Sequence, residues 1–331
     1  MWVPVVGVKE DMGIRNSVSL FAGCGGSSLG YSTSGFREVF AIDRDEDCRA
    51  SLHLNFPSLT TSDIDISTTT PKDVMEAIGV GVREIDLLDG SPPCQGFSTA
   101  GKRRLDDPRN SLVMKFAELI TGIMPAAAVM ENVMGMIRGP FRWEYCMFHE
   151  RLRKAGYRTY GKILNAANHG VSQARRRIFV VAIRDDNKNI YSFPLSKPVM
   201  TLREVLVGCP NGPYPRLGPT ALKVAMMLAP GEGGQGIWPG NKFAGFSTKR
   251  LRWDKPSVTL TAEQGSRSGL IHPDEDRCLT LPEMLRIQGF PDSWKLAGIL
   301  KSQIKQIGNA VPPPLAEDIG RSIMMTLQDM E

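Results

Sequence analysis

From Ser17 to about Ile183, short apolar runs of strand character alternate with amphipathic stretches of helical length. That alternation leaves little choice of architecture: it predicts an α/β chain with a parallel sheet covered by helices on both faces. The apolar runs predict strands near residues 18–21, 39–42, 85–88, 127–130, 161–164 and 178–183. Beyond Arg184 prolines recur from Pro194 to Pro239 and glycines cluster at 231, 233, 234 and 236, a texture that cannot continue a regular sheet. Helical periodicity returns at residues 281–288 and from Pro314 onward, where Leu315, Ile319 and Ile323 share one face. The expected organisation is an α/β domain over residues 16–184, a loop-rich insertion over 185–276, and a C-terminal return over 277–331.

Composition adds exclusions. A content of 42% hydrophobic and 23% charged residues rules out a disordered or collagen-like chain. No apolar stretch reaches the roughly 20 residues of a membrane span, and residues 1–10 lack the basic lead and apolar run of a signal peptide, so a cytoplasmic protein is expected. The six cysteines form no C-x-x-C pair and the four histidines are scattered, so neither a metal site nor a disulfide framework is expected. A net charge of +5 permits a polyanionic partner without requiring one.

Two local features carry chemistry. The run Phe21-Ala22-Gly23-Cys24-Gly25-Gly26 follows the first strand and precedes a helix, where close backbone approach to a nucleotide-like ligand needs residues without side chains. Asp43 ends the second strand at the offset usual for a carboxylate that accepts hydrogen bonds from a ribose. The sixth position of the loop is Ser28, not glycine, which speaks against a dinucleotide-binding dehydrogenase. A tight turn that binds nothing remains open for the loop alone, as does a plain surface aspartate for Asp63. The second feature is Asp89-Gly90-Ser91-Pro92-Pro93-Cys94. Two prolines restrict the backbone before Cys94 at the carboxyl edge of the sheet, which favours an exposed and reactive thiol over a buried one.

Pro92-Pro93-Cys94-Gln95-Gly96-Phe97-Ser98 resembles the catalytic motif of the cytosine-C5 DNA methyltransferase family. In order along the chain, Phe21 to Gly26 resembles that family's cofactor loop, Glu131-Asn132-Val133 its second catalytic motif, and Gln173-Ala174-Arg175-Arg176-Arg177 its arginine motif. Residues 281–291 and Gln306-Ile307-Gly308-Asn309-Ala310-Val311-Pro312 complete the set. The resemblance implies a Rossmann-like sheet that binds S-adenosyl-L-methionine, with Phe21 against the adenine, Gly23 and Gly25 near the methionine moiety and Asp43 at the ribose. Asp63 and Ile64 would lie near the base, and Asn309 and Val311 would close the pocket. The family commonly has glutamate where this chain has Asp43, so the ribose contact is expected to be rearranged.

The implied chemistry starts from the weakness of C5 of cytosine as a nucleophile, which requires covalent addition at C6 by Cys94. Glu131 is expected to donate a hydrogen bond to N3, and Arg175 and Arg177 to serve the cytosine O2 and the cysteine loop, with Arg176 facing solvent or near phosphate. A duplex hides C6 from a thiol, so the base must be extruded. In residues 95–110, Gln95, Ser98, Arg103 and Arg104 are the expected DNA contacts, although the charges there can equally be solvated. The insertion occupies the place of the family's target-recognition domain. Its second half is basic, with Lys242, Lys249, Arg250, Arg252 and Lys255 interleaved with Trp238, Phe243, Phe246 and Trp253, and Arg250 and Arg252 are expected to reach DNA. The expected partners are double-stranded DNA and a restriction endonuclease acting on the same site. A monomer associated with the nucleoid is expected. The alternatives are a tRNA cytosine-C5 methyltransferase and a catalytically silent DNA-binding regulator.

Overall fold

A computed structural model describes residues 14–93, 111–139, 142–234, 248–263 and 269–328. The alternation read from the sequence appears as β1 (Arg15–Leu20), α1 (Gly26–Thr33), β2 (Phe36–Ile42), α2 (Glu46–Asn55), β3 (Thr60–Ser62), α3 (Pro71–Ile78), β4 (Leu87–Gly90), α4 (Ser111–Ile123) and β5 (Ala127–Val133). Local chemistry sets the punctuation. Ahead of α3, Thr70 and Asp73 cap each other's backbone, Pro71 sits in the first turn where its missing N–H is harmless, and Gly79 ends the helix in the left-handed region. The same devices, Thr280 with Glu283 and a left-handed Gly289, bound the helix at Leu281–Gln288.

After α5 (Arg142–Lys154) come β6 (Tyr157–Asn165), β7 (Gln173–Ala174) and β8 (Arg176–Arg184). The central sheet has the order β3-β2-β1-β4-β5-β8-β6. The sheet is parallel as expected from β3 to β5 and departs from that at one strand, because β8 lies antiparallel to both β5 and β6. Residues 166–175 are too few for the crossover that a parallel connection needs, about a dozen residues or more, so the chain turns back and inserts its last strand beside β5. The strand order reverses between β1 and β4, and their carboxyl ends open a crevice at that switch point.

Helices cover both faces. Val18, Leu20, Leu88, Met130 and Val180 pack under α3, α4 and α5, whereas Leu87, Val129 and Val181 pack under α1 and α10 (Pro313–Leu327). The face predicted for the last helix is the one it buries: Leu315, Ile319 and Ile323 are all inaccessible.

The region past Arg184 holds α6 (Leu202–Leu206), α7 (Pro219–Met227), β9 (Lys249–Arg250), β10 (Ser257–Val258) and β11 (Leu270–Ile271), followed by α8 (Leu281–Gln288) and α9 (Leu300–Asn309). Leu202, Leu251, Leu260 and Leu270 of the insertion share one core with Leu279, Leu285, Trp294 and Ile304 of the C-terminal return, and with Cys24 of the glycine loop. Among the described residues no helix is long and apolar enough to cross a membrane.

Candidate active site

The site begins where β1 runs out. Phe21 has φ 59 and Gly23 has φ 58, so the chain makes a left-handed turn that glycine adopts freely and phenylalanine does not. Holding Phe21 there costs of order 1–3 kcal/mol, which the surroundings must overcome. They do so through Asp43: one carboxylate oxygen accepts from the Gly23 N–H at 2.8 Å and the other from the Asp45 N–H at 2.8 Å. Asp43 thus splices the end of β2 to the glycine loop. Burial raises its pKa, against the lowering by these two backbone donors. Each oxygen keeps a lone pair for a ligand.

The loop is clamped from behind by the C-terminal return. A Cβ on Gly26 would lie 2.1 Å from the carbonyl oxygen of Val311, so only glycine admits that approach. Cys24 is fully buried beside the Gln306 carbonyl, and burial pushes its thiol up to about 12, which makes it inert at neutral pH.

On the other side of the switch point, β4 leads into Ser91, Pro92 and Pro93. Asn132 donates from its amide to the Pro92 carbonyl at 3.2 Å, tying this segment to the end of β5. Its neighbour Glu131 is 8% exposed. Arg177 Nε lies 3.1 Å from Glu131 Oε1. The alignment is not that of a hydrogen bond, and Oε1 retains its bonding capacity. Arg175 turns inward instead, donating to the carbonyls of Gly308 at 2.8 Å and of Leu260 and Asn309 at 3.4 Å. Arg176, between them, is exposed.

These elements surround a cleft of about 620 Å³. Phe21, Gly23, Asp43, Ile64, Glu131, Arg175, Arg177, Asn309 and Val311, all singled out from the sequence, line it together. Gly25 does not: it caps α1 at φ 87 and faces Leu52 and Trp294. Asp63 does not line the cleft either, since its side chain is 77% exposed and stands 4.0 Å from Arg49. Asp65 takes that place, 2.8 Å from Arg44 at the rim. The alternation Asp63-Ile64-Asp65-Ile66 offered both acids, and only the turn after β3 chose between them. Ser27, Leu112 and the Lys305–Asp45 ion pair at 2.7 Å also belong to the site and carry no sequence signal of their own.

Cys94, Gln95, Ser98, Arg103 and Arg104 lie outside the described residues, as do Trp238, Lys242, Phe243 and Phe246. Pro93, which precedes Cys94 in the chain, is on the cleft wall. The expectation that Arg250 reaches DNA is corrected. Its guanidinium is buried and donates to the carbonyls of Leu228 at 2.8 Å, Ala225 at 2.9 Å, His272 at 3.0 Å and Glu275 at 3.1 Å, and pairs with Asp276. Arg252 is on the surface, held by Asp254 at 2.7 Å.

A family model described as C-5 cytosine-specific DNA methylase matches residues 15–216 and 234–325. Among curated relatives, Type II methyltransferase M.Sau96I of Staphylococcus aureus is 33% identical, with 93% of this chain and 75% of the relative covered. Type II methyltransferase M.XorII of Xanthomonas oryzae pv. oryzae is 31% identical, covering 94% of this chain and 85% of the relative. Among solved structures, a prophage-encoded E. coli protein described as a DNA modification methyltransferase superposes with a TM-score of 0.80 at 22% identity, covering 95% of this chain and 100% of the other. DNMT2 of Spodoptera frugiperda superposes with a TM-score of 0.70 at 19% identity, covering 93% and 99%. These two likenesses are likenesses of fold.

Proposed function

The chain belongs to the C-5 cytosine-specific DNA methylase family, and from that premise we propose how its residues divide the work. It is a DNA cytosine-C5 methyltransferase akin to the Type II enzymes among its relatives. The observation that carries the residue assignment is a convergence: Glu131, Arg177 and the Pro92-Pro93 segment meet the glycine loop and Asn309 around one cleft.

S-adenosylmethionine is the methyl donor in this reading. The cleft lies in the volume range of small-ligand pockets, and its donor set suits the ligand. Phe21, Ile64 and Ile66 offer apolar walls to an adenine, Asp43 has lone pairs for ribose hydroxyls, and Asn309 and Val311 close the pocket from the C-terminal side. Bound there, the cofactor supplies an electrophilic methyl group on a sulfonium.

Cys94 adds its thiolate to C6 of an extruded cytosine, which makes C5 nucleophilic. Glu131 donates a hydrogen bond to N3, where negative charge gathers, and Arg177 fixes the orientation of that carboxyl. Arg175 acts at one remove, holding the Gly308 and Asn309 carbonyls so that the C-terminal return stays against the cleft. After methyl transfer, loss of the C5 proton and departure of Cys94 restore the ring.

Residues 16–184 form the catalytic and cofactor-binding unit in this reading, 185–276 the target-recognition unit, and 277–331 the return. A partner endonuclease that cuts the same site, a monomeric enzyme and a cytoplasmic location near the nucleoid complete it. The test is DNA carrying 5-fluorocytosine, whose fluorine cannot leave as a cation, so a covalent adduct should accumulate on Cys94 and be absent in Cys94→Ala. An adduct on another residue would refute the assignment. Bisulfite sequencing of a duplex library, with tRNA methylation measured alongside, identifies the polymer and the site.

A further inference from the structure

Beneath the glycine loop lies a polar layer that the mechanism does not use. Asp89 of β4 is 2% exposed, on the sheet face covered by α1. The Tyr31 hydroxyl donates to it at 3.1 Å, and the Ser27 hydroxyl, on the cleft wall, bonds it as well. Glu38 of β2 stands in the same layer, accepting from Ser28 at 3.1 Å. Glu38 is partly accessible as a residue, but its Oε2 is sealed from solvent, with the Ser19 hydroxyl as a further neighbour.

No salt bridge joins Asp89 or Glu38 to any other described residue. Two buried carboxyls without a cation oppose folding unless they carry protons. Burial pushes each up to about 7, with the mutual repulsion of Asp89 and Glu38 adding to the rise at Glu38. The titratable groups facing Asp89 are Tyr31 of α1, Glu38 of β2 and Glu131 of β5, with Tyr191 behind Tyr31. Among the described residues lining the cleft, Arg44 stands against Asp65, Lys305 against Asp45 and Arg177 beside Glu131. Among the described residues, Asp89 and Glu38 have no cation of this kind beside them.

We propose that Asp89, backed by Glu38, is a specificity-determining residue that makes the cleft favour the sulfonium methyl donor over its neutral thioether product. The two ligands differ by one methyl group and one positive charge, and hydrogen bonds to adenine and ribose cannot tell them apart. A buried carboxylate one layer below the wall can, because its field is weakly screened there. Linkage makes the effect reciprocal: a cation in the cleft favours ionisation of the pair, so ionisation of the pair favours the cation. The consequence for the reaction is directional, since methyl transfer removes the charge that held the donor and the product is released more readily.

This inference rests on the assignment of S-adenosylmethionine to the cleft. The test is calorimetric titration of the full-length protein with S-adenosylmethionine and, separately, with S-adenosylhomocysteine, at about pH 6 and about pH 8.5, either side of the buried pair's titration. In the wild type the affinity ratio of donor to product should rise about fivefold or more between the two pH values. Asp89→Asn keeps an acceptor for Tyr31 and Ser27 and should flatten that rise. Glu38→Gln, which leaves Asp89 in place, should reduce it and serves if the first variant does not fold. Titration of the ligands' own amino groups is common to all three proteins and cancels in the comparison. A ratio in the wild type that does not rise, or that rises equally in both variants, overturns the proposal while leaving the cofactor assignment intact. Failure of the wild type to bind either ligand removes both.

Discussion

Two arginine-rich segments, 175–177 and 249–252, look alike in sequence and end in different places. In each, one arginine is buried among backbone carbonyls: Arg175 under Gly308, Asn309 and Leu260, and Arg250 under Leu228, Ala225, His272 and Glu275. In each, the arginine two positions on meets a carboxylate, but Arg177 meets the nearly inaccessible Glu131 inside the cleft and Arg252 meets the exposed Asp254. A guanidinium offers five donors in a fixed plane, and loop carbonyls without sheet partners are a natural match for it. The described part of the insertion has little regular structure, so its Arg250 does for loop backbone what ladder hydrogen bonds do in the central sheet. The comparison teaches that a basic run need not be an anion-binding surface: one arginine in each segment is a backbone fastener, and what lies opposite the other decides whether it serves chemistry.

The largest effect expected from that comparison is on stability. Arg250→Met removes the donors from several buried carbonyls and leaves Asp276 without its partner, and should lower unfolding free energy by roughly 3–5 kcal/mol, read from denaturant midpoints. The salt dependence of DNA binding by the remaining folded protein should not change. If the variant were as stable as wild type yet bound DNA with a shallower salt slope, Arg250 would be a DNA contact after all.

Arg177→Met comes next and should separate the two segments. It frees the Glu131 carboxyl inside the cleft, so kcat should fall by about a hundredfold while the melting temperature changes little. A fall in stability without a fall in kcat would make Arg177 another backbone fastener. The smallest effect belongs to Arg252→Ala. Its ion pair is exposed and should be worth no more than about 1 kcal/mol. Against DNA the slope of affinity with salt should drop by about one unit if this side chain meets a phosphate. An unchanged slope would take the last described arginine of the pair off the DNA.

The sequence alone determined the α/β class, six of the seven strands of the central sheet, the glycine loop and the cap-to-cap extent of Leu281–Gln288, because these depend on periodicity and on residues within a few positions of one another. It also marked Glu131, Arg175, Arg177, Asn309 and Asp43 as members of one site, through motifs whose spacing is local even though their meeting is not. The tertiary structure decided what depends on distant partners. It turned β8 against its neighbours because residues 166–175 cannot carry a crossover, put Asp65 rather than Asp63 on the cleft, and buried Arg250 under carbonyls from residues 225 to 275. It also brought Asp89, Glu38, Tyr31 and Ser27 into one buried layer. A side chain's charge is written in the sequence, but its solvation is set by whatever the fold packs against it, and in this chain solvation separates the exposed Arg252 from the buried fastener Arg250 and a surface acid from a buried one.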